Sequence, residues 1–272
     1  MSISQFQKAG KYLMLALDHR GSFKKYVKPK APETATDAEV IKVKSMITGA
    51  LEDQFSGVLL DPDWGLPGYD KKKPFLLCLE KTGYSDVKGE RLTELEYTAS
   101  QLKEWGASGV KLLIYFNPEA DSCAAQIEVT KQALADAHQN DLPLFLEIVT
   151  YGNEELGKSR SEWVLRSLQK FISANVIPDV WKLEYPGDAK SCKKITEMVG
   201  KTPWILLTRG DSFEVFRKEL VEAVGAGAVG FLAGRALWQE ISQYSDEKTQ
   251  QKFLDGTVAK RFADIAEIVL NG

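Results

Sequence analysis

Eight short apolar stretches, separated by longer segments, set the limits on what this chain can become. They are YLMLALD (12–18), GVLLD (57–61), PFLLCLE (74–80), GVKLLIY (109–115), LPLFLEIV (142–149), DVWKLEY (179–185), PWILLT (203–208) and AVGFLA (228–233). Runs of this length, rich in branched and aromatic residues, read as buried strands. Between them lie patterns with apolar residues at helical spacing: DAEVIKVKSMITGALED, LTELEYTASQLKEWG, DSCAAQIEVTKQALADAHQ, SEWVLRSLQKFISAN and SFEVFRKELVEAVGAG. Several close on Gly or Asn, as helix ends do. PDWGLPGYDKKK, after the second strand, is too short for a full helix, and DEKTQQKFLDGTVAKRFADIAEIVLN reads as an amphipathic C-terminal helix.

Strands joined by helices imply a parallel sheet. Eight such units in 272 residues fit a closed (β/α)8 TIM barrel of about 250 residues, a single domain over 1–272. The rival fold, an open doubly wound sheet, carries a glycine-rich turn after its first strand. LDHRGSF is not such a turn.

Composition narrows the function classes. A net charge of −3 argues against non-specific nucleic-acid binding. No basic segment followed by an apolar stretch opens the chain, and no apolar run approaches the ~20 residues of a membrane helix. A cytoplasmic protein with no nucleic-acid or membrane partner is expected. Cys78, Cys123 and Cys192 are widely spaced, without CxxC, which fits reduced thiols. With only His19 and His138, no transition-metal site and no cofactor are expected. His138, in DAHQN, reads as a favourable charge at a helix C-terminus.

The informative anomaly is charge inside strands. Side chains alternate between strand faces, so Met14, Ala16 and Asp18 share one face of the first strand and Leu13, Leu15 and Leu17 the other. The same parity groups Lys111 with Leu113 and Tyr115, Glu147 with Phe145 and Val149, and Lys182 with Glu184. Four strands thus each direct charge toward the barrel interior, where an unpaired charge costs several kcal/mol. Mutual pairing of Asp18, Glu147 and Glu184 with Lys111 and Lys182 is the expected solution, at the strand ends where barrel active sites lie. An interior lysine beside another cation can act as an amine nucleophile toward a carbonyl, with a carboxylate moving protons; Lys182, Lys111 and Glu147 would make such a set.

A second constellation follows strands seven and eight, LLTRGDS (206–212) and FLAGRALW (231–238). Barrels often hold a substrate phosphate there; Gly210 and Gly234 permit close backbone approach, while Thr208, Arg209 and Arg235 supply donors and charge. His19 and Arg20 follow Asp18 at the rim. Asp61, Asp63 and Trp64 in one loop, and Lys81, Gly83 and Tyr84 in another, either wall the site or seal the barrel mouth. The residues alone leave open a Schiff-base lyase, an acid–base isomerase or synthase, and a barrel that binds a sugar phosphate without turnover.

The ordered motifs LALDHRG, LLDPDWGLP, LEKTGYSD, GASGVKLLIYFNP, PLFLEIVTY, WKLEYP, PWILLTRG and GAVGFLAGRALWQ resemble the tagatose 1,6-bisphosphate aldolase family of class I aldolases, which includes sulfofructose-phosphate aldolases. The resemblance runs almost end to end. It implies a metal-free barrel that cleaves a ketose phosphate to dihydroxyacetone phosphate and an aldehyde. It also implies Lys182 as Schiff-base lysine, Glu147 as proton shuttle, and Lys111 and Asp18 beside them. The C1-phosphate loops map onto Thr208, Gly210, Gly234 and Arg235. His19 stands where family members often carry Gln, and Arg209 where they often carry a small residue. A sugar phosphate partner and self-association are expected.

Overall fold

The computed structural model describes residues 2–272. Its eight barrel strands are β1 (Tyr12–Leu17), β2 (Gly57–Leu60), β3 (Phe75–Cys78), β4 (Gly109–Phe116), β5 (Leu144–Thr150), β6 (Val180–Leu183), β7 (Trp204–Leu207) and β8 (Gly230–Ala233). All pair in parallel and in chain order, and β1 closes on β8 with Tyr12 opposite Gly230. The crossovers carry α1 (Asp37–Leu51), α2 (Ala99–Glu104), α3 (Cys123–Gln139), α4 (Arg160–Ser173), α5 (Ala189–Val199) and α6 (Phe213–Gly225). As expected, no full helix joins β2 to β3; a 3-10 turn at Leu66–Gly68 does so. The C-terminal run continues from Glu247 to Asn271 through a π-helical segment, Leu254–Val258. No helix among the described residues is long and apolar enough to cross a membrane, and Cys78, Cys123 and Cys192 are free thiols.

The strand parity is realised in two cores. Leu13, Leu15 and Leu17 join the layer between sheet and helices. Tyr12, Met14, Ala16, Leu76, Phe145 and Val180 fill the lumen, and Phe6 from the N-terminal 3-10 turn packs beneath them, edge-on to Phe145 at 5.3 Å. The lower barrel is therefore a packed apolar plug. Charge is confined to the next layer toward the C-terminal strand ends. Gly230 is required at the seam, since a Cβ there would stand 2.1 Å from the Tyr12 carbonyl oxygen.

One expectation needs correction here. LTELEYTASQLKEWG is helical only over Ala99–Glu104. Its first residue, Leu92, ends a hairpin, Ser85–Val87 with Glu90–Leu92, closed by Lys88 and Gly89 with φ of 56° and 83°, the left-handed pair that a tight primed turn demands. Thr93 then bonds to the Leu113 carbonyl and to Gln126, so tertiary contacts override the helical pattern. The helix starts instead at Thr98, which forms a reciprocal capping box with Gln101.

The DPDWG loop is a seal. Asp61 is 0% exposed and takes an ion pair from Lys44 on the inner face of α1. Lys44 Nζ also donates to the Leu17 and His19 carbonyls, each at 2.8 Å. Trp64 donates its backbone N–H to Asp61 at 2.7 Å, with its ring 5.9 Å from the Lys44 ammonium. The pair ties α1 to the ends of β1 and β2, immediately behind Asp18. Removing one member of such a buried pair strands the other charge, at a cost of about 3–5 kcal/mol. Lys44→Met should therefore lower unfolding stability by that amount in urea titration, and a loss under about 1 kcal/mol would show that the pair is dispensable.

Candidate active site

The inward charges converge at the C-terminal mouth of the barrel, on the wall of a cavity of about 670 Å³. Lys111, from β4, is 1% exposed and sits among three carboxylates: Asp18 at 2.7 Å, Glu80 at 2.5 Å and Glu147 at 3.3 Å. Burial opposes its charge, but the three anions outweigh burial and hold the ammonium well above its ordinary pKa. Lys182, from β6, is paired with one carboxylate, Glu147, at 2.7 Å. Glu147 and Lys182 stand opposite each other in the β5–β6 register, so the sheet itself delivers this contact.

Each carboxylate meets a different balance. Burial disfavours the Asp18 anion, yet Lys111 and then Lys182 hold it well below the usual range. Glu80 is pushed up, because burial outweighs the single ammonium it shares with two other anions. Its second oxygen accepts the Leu113 N–H at 3.1 Å. Glu80 is a member that the sequence reading missed. The signal was present: Leu76 lies in the lumen core, and Cys78 and Glu80 follow it on the same strand parity.

Glu184 was expected among the lysines and is not there. Glu184 is one residue past β6, as Asp18 is one past β1, but here competing donors decide where the side chain goes. Glu184 turns to the end of β5, where it accepts the Thr150 N–H and hydroxyl, both at 2.6 Å. Arg209 Nη1 lies 2.9 Å from its other oxygen, off the hydrogen-bonding direction. Burial still pushes the Glu184 carboxyl up, against the pull of Arg209. Arg209 also donates to the Thr150 carbonyl at 3.2 Å and has a φ of +44°, a strained conformation for a residue with a Cβ.

Asp18, His19, Arg20, Thr208, Arg209, Gly234 and Arg235 all border the cavity. His19 is neutral: burial, reinforced by Arg235, Lys44 and Lys182 and only partly offset by Asp18, pushes its imidazolium down to about 3. Arg20 is buried in the wall, with its guanidinium on Glu96, on the Glu80 carbonyl at 2.6 Å and on Cys78 Sγ at 2.9 Å. Gly210 backs onto Arg235: a Cβ there would meet Arg235 Nη2 at 2.9 Å. Arg235 Nε is buried without a hydrogen-bond partner. Lys81 and Gly83 reach the cavity, whereas Asp61, Asp63, Trp64 and Tyr84 do not. Among the described residues no cluster of His, Cys, Asp and Glu is arranged to hold a metal ion.

Known proteins resemble this chain in sequence and in fold. The family described as DeoC/LacD family aldolase matches residues 12–240. The tagatose 1,6-diphosphate aldolase of Staphylococcus aureus strain JH9 is 30% identical over 295 aligned positions, covering 94% of this chain and 90% of that protein. An archaeal fructose 1,6-bisphosphate aldolase of known structure superposes with a TM-score of 0.69 at 23% identity, over 99% of both chains. A second archaeal fructose-1,6-bisphosphate aldolase, whose catalytic Lys is covalently bound to the carbinolamine intermediate of its substrate, superposes with a TM-score of 0.67 at 22% identity, over 98% of each chain. These two share the barrel fold. With 30% identity across nearly its whole length and a family match spanning β1 to β8, this chain is an aldolase of the DeoC/LacD family.

Proposed function

We propose that this aldolase works through a Schiff base on Lys182 and cleaves a ketose 1-phosphate, with tagatose 1,6-bisphosphate the first candidate, to dihydroxyacetone phosphate and an aldehyde. The observation that carries the reading is the unequal treatment of the two interior lysines. Three carboxylates fix Lys111 as a cation; Lys182 meets one, and that one, Glu147, also touches Lys111. An ammonium locked by three anions is a poor nucleophile, while an amine can be released by passing one proton to Glu147.

In the first step Lys182 Nζ attacks the C2 carbonyl and the carbonyl oxygen becomes a hydroxyl, giving a carbinolamine. Glu147 then donates a proton to that hydroxyl, which departs as water and leaves an iminium. Loss of the C4 hydroxyl proton to a carboxylate breaks the C3–C4 bond, with the electron pair moving into the iminium. The aldehyde leaves, and the enamine is protonated at C3 and hydrolysed to free Lys182. Lys111 acts as a fixed positive charge beside the developing enamine, and it keeps Asp18 ionised to accept hydrogen bonds from substrate hydroxyls. Neutral His19 can donate to or accept from a hydroxyl without adding charge. Thr208, the backbone around Gly210 and Gly234, and the unpartnered Arg235 Nε suit the C1 phosphate. The name of the Staphylococcus aureus relatives supports the choice of first substrate.

Borohydride treatment with dihydroxyacetone phosphate should add one reduced adduct to the intact mass, mapping to the peptide that contains Lys182. Lys182→Met should abolish both adduct and cleavage, and an adduct on Lys111 in the wild type would reverse the assignment. Glu147→Gln should keep substrate binding while lowering kcat by roughly 10²–10⁴-fold; an unchanged kcat would remove Glu147 from the proton path. His19 adds a pH signature. Its folded pKa of about 3 lies below the ordinary value of 6.5, so the unfolded chain binds more protons between those values. Its share of stability is complete above pH 6.5 and is lost as pH falls toward 3. The melting-temperature gap between wild type and His19→Gln should move against the wild type from pH 7 to pH 4, and a constant gap would mean an ordinary imidazole.

A further inference from the structure

Beyond the lysine network, the cavity carries a cation whose hydrogen-bonding head has no acceptor. Arg91 lies on the hairpin between β3 and β4 and borders the same cavity as Lys182. Its guanidinium carbon sits 4.8 Å from the ring centre of Tyr151, 4.9 Å from that of Tyr84 and 5.8 Å from that of Tyr115. Tyr84 and Tyr115 meet edge to face at 5.0 Å. Among the described residues no carboxylate forms an ion pair with this guanidinium and no acceptor takes a hydrogen bond from it; the backbone N–H of the residue donates to the Tyr151 hydroxyl at 3.0 Å. Glu154 and Glu155 border the same cavity without pairing with it.

The backbone beneath Arg91 is pinned on both sides. Gln126, buried in α3, donates to the Arg91 carbonyl at 2.9 Å and to the Tyr115 carbonyl at 3.0 Å, and accepts the Thr93 N–H at 3.1 Å. Glu90 accepts the N–H groups of Asp121 and Ser122 at 2.9 and 2.8 Å. A guanidinium resting on aromatic faces is held by its charge and plane, so its N–H donors stay available. This is an arginine pre-ordered at a fixed place with its hydrogen bonds unspent.

Its position in the barrel says what it can bind. The strands run in chain order around the closed sheet, so Tyr115 on β4 faces Gly234 and Arg235 after β8 across the mouth. Lys182, on β6, lies on the arc between them. A ligand anchored by one anion at Arg235 and presenting its carbonyl to Lys182 has its far end on the Arg91 side. We infer that Arg91 is a specificity-determining residue that receives a second phosphate, at the far end of the sugar, and makes this enzyme select ketose bisphosphates over ketose 1-phosphates. The inference rests on the proposed orientation of substrate toward Lys182.

Binding of a hexitol 1,6-bisphosphate and of the matching hexitol 1-phosphate, measured by calorimetry, tests it without any Schiff-base chemistry, since neither probe has a carbonyl. Wild type should prefer the bisphosphate. Arg91→Gln should weaken the bisphosphate roughly 10- to 100-fold, as expected for loss of a charge-assisted hydrogen bond, and change the monophosphate less than about 3-fold. Arg91→Lys, which keeps the charge but not the planar fork, should fall between. Equal weakening of both probes, with a lowered melting temperature, would make Arg91 a structural brace and overturn the inference. So would unchanged bisphosphate affinity in Arg91→Gln, or a wild type that binds both probes alike. Borohydride trapping with dihydroxyacetone phosphate, which has no far phosphate, should proceed normally in Arg91→Gln. Failure of trapping in the wild type would count against the Lys182 chemistry and leave the binding comparison to be judged on its own.

Discussion

One ammonium shared by three carboxylates organises this molecule. Lys111 stands where an apolar side chain would otherwise fill the barrel, and Asp18, Glu80 and Glu147 reach it from β1, the end of β3 and β5. Without it, three buried anions would face one another in a low-dielectric space, each costing several kcal/mol. With it, the carboxylates separate by environment: Asp18 is driven toward ionisation, Glu80 toward protonation. Groups of one chemical type pushed in opposite directions by their surroundings are the raw material of acid–base catalysis. The reactive lysine lies next to this cluster and shares only one of its members.

The layering below explains how a small apolar barrel tolerates so much charge. Phe6, Tyr12, Met14 and Phe145 close the lower lumen, so water reaches the ionised layer from the mouth alone. Behind β1 and β2 the Lys44–Asp61 pair repeats the same device on the helix side of the sheet. It fixes the backbone that carries Asp18 and His19 through the two carbonyls it binds.

Much of this is legible in the sequence, for a physical reason. Strand parity is a hard geometric rule, so alternate residues alone place Asp18, Lys111, Glu147 and Lys182 on one face. Past the last strand residue the rule no longer decides alone: Asp18 and Glu80 still follow it, and Glu184 does not. Glu184 lies one residue past β6 and pairs with Arg209 and Thr150 instead. Glu80 obeys parity and is within reach of the same rule, since it follows Leu76 and Cys78. Lys44 cannot be separated from a surface lysine by composition, though it shares the inner stripe of α1 with Val40, Val43 and Ile47. Arg91 is beyond reach, because its setting is built from Tyr84, Tyr115, Tyr151 and Gln126, contributed by four separate segments. Side-chain clusters across loops leave no periodic trace.

The seam between β1 and β8 has a consequence for how the chain is made. β1 is the first of the eight strands to be made, and its partner Gly230–Ala233 follows after more than two hundred residues. Until then one edge of β1 is unpaired, and the lumen that Phe6 and Tyr12 will fill is open to water. Exposed edges of this kind invite association with other chains. Ring closure is thus the late event of synthesis, at a position where only glycine lets the two backbones meet. The same event completes the site, since Asp18 and Arg235 leave adjacent strands on either side of that seam.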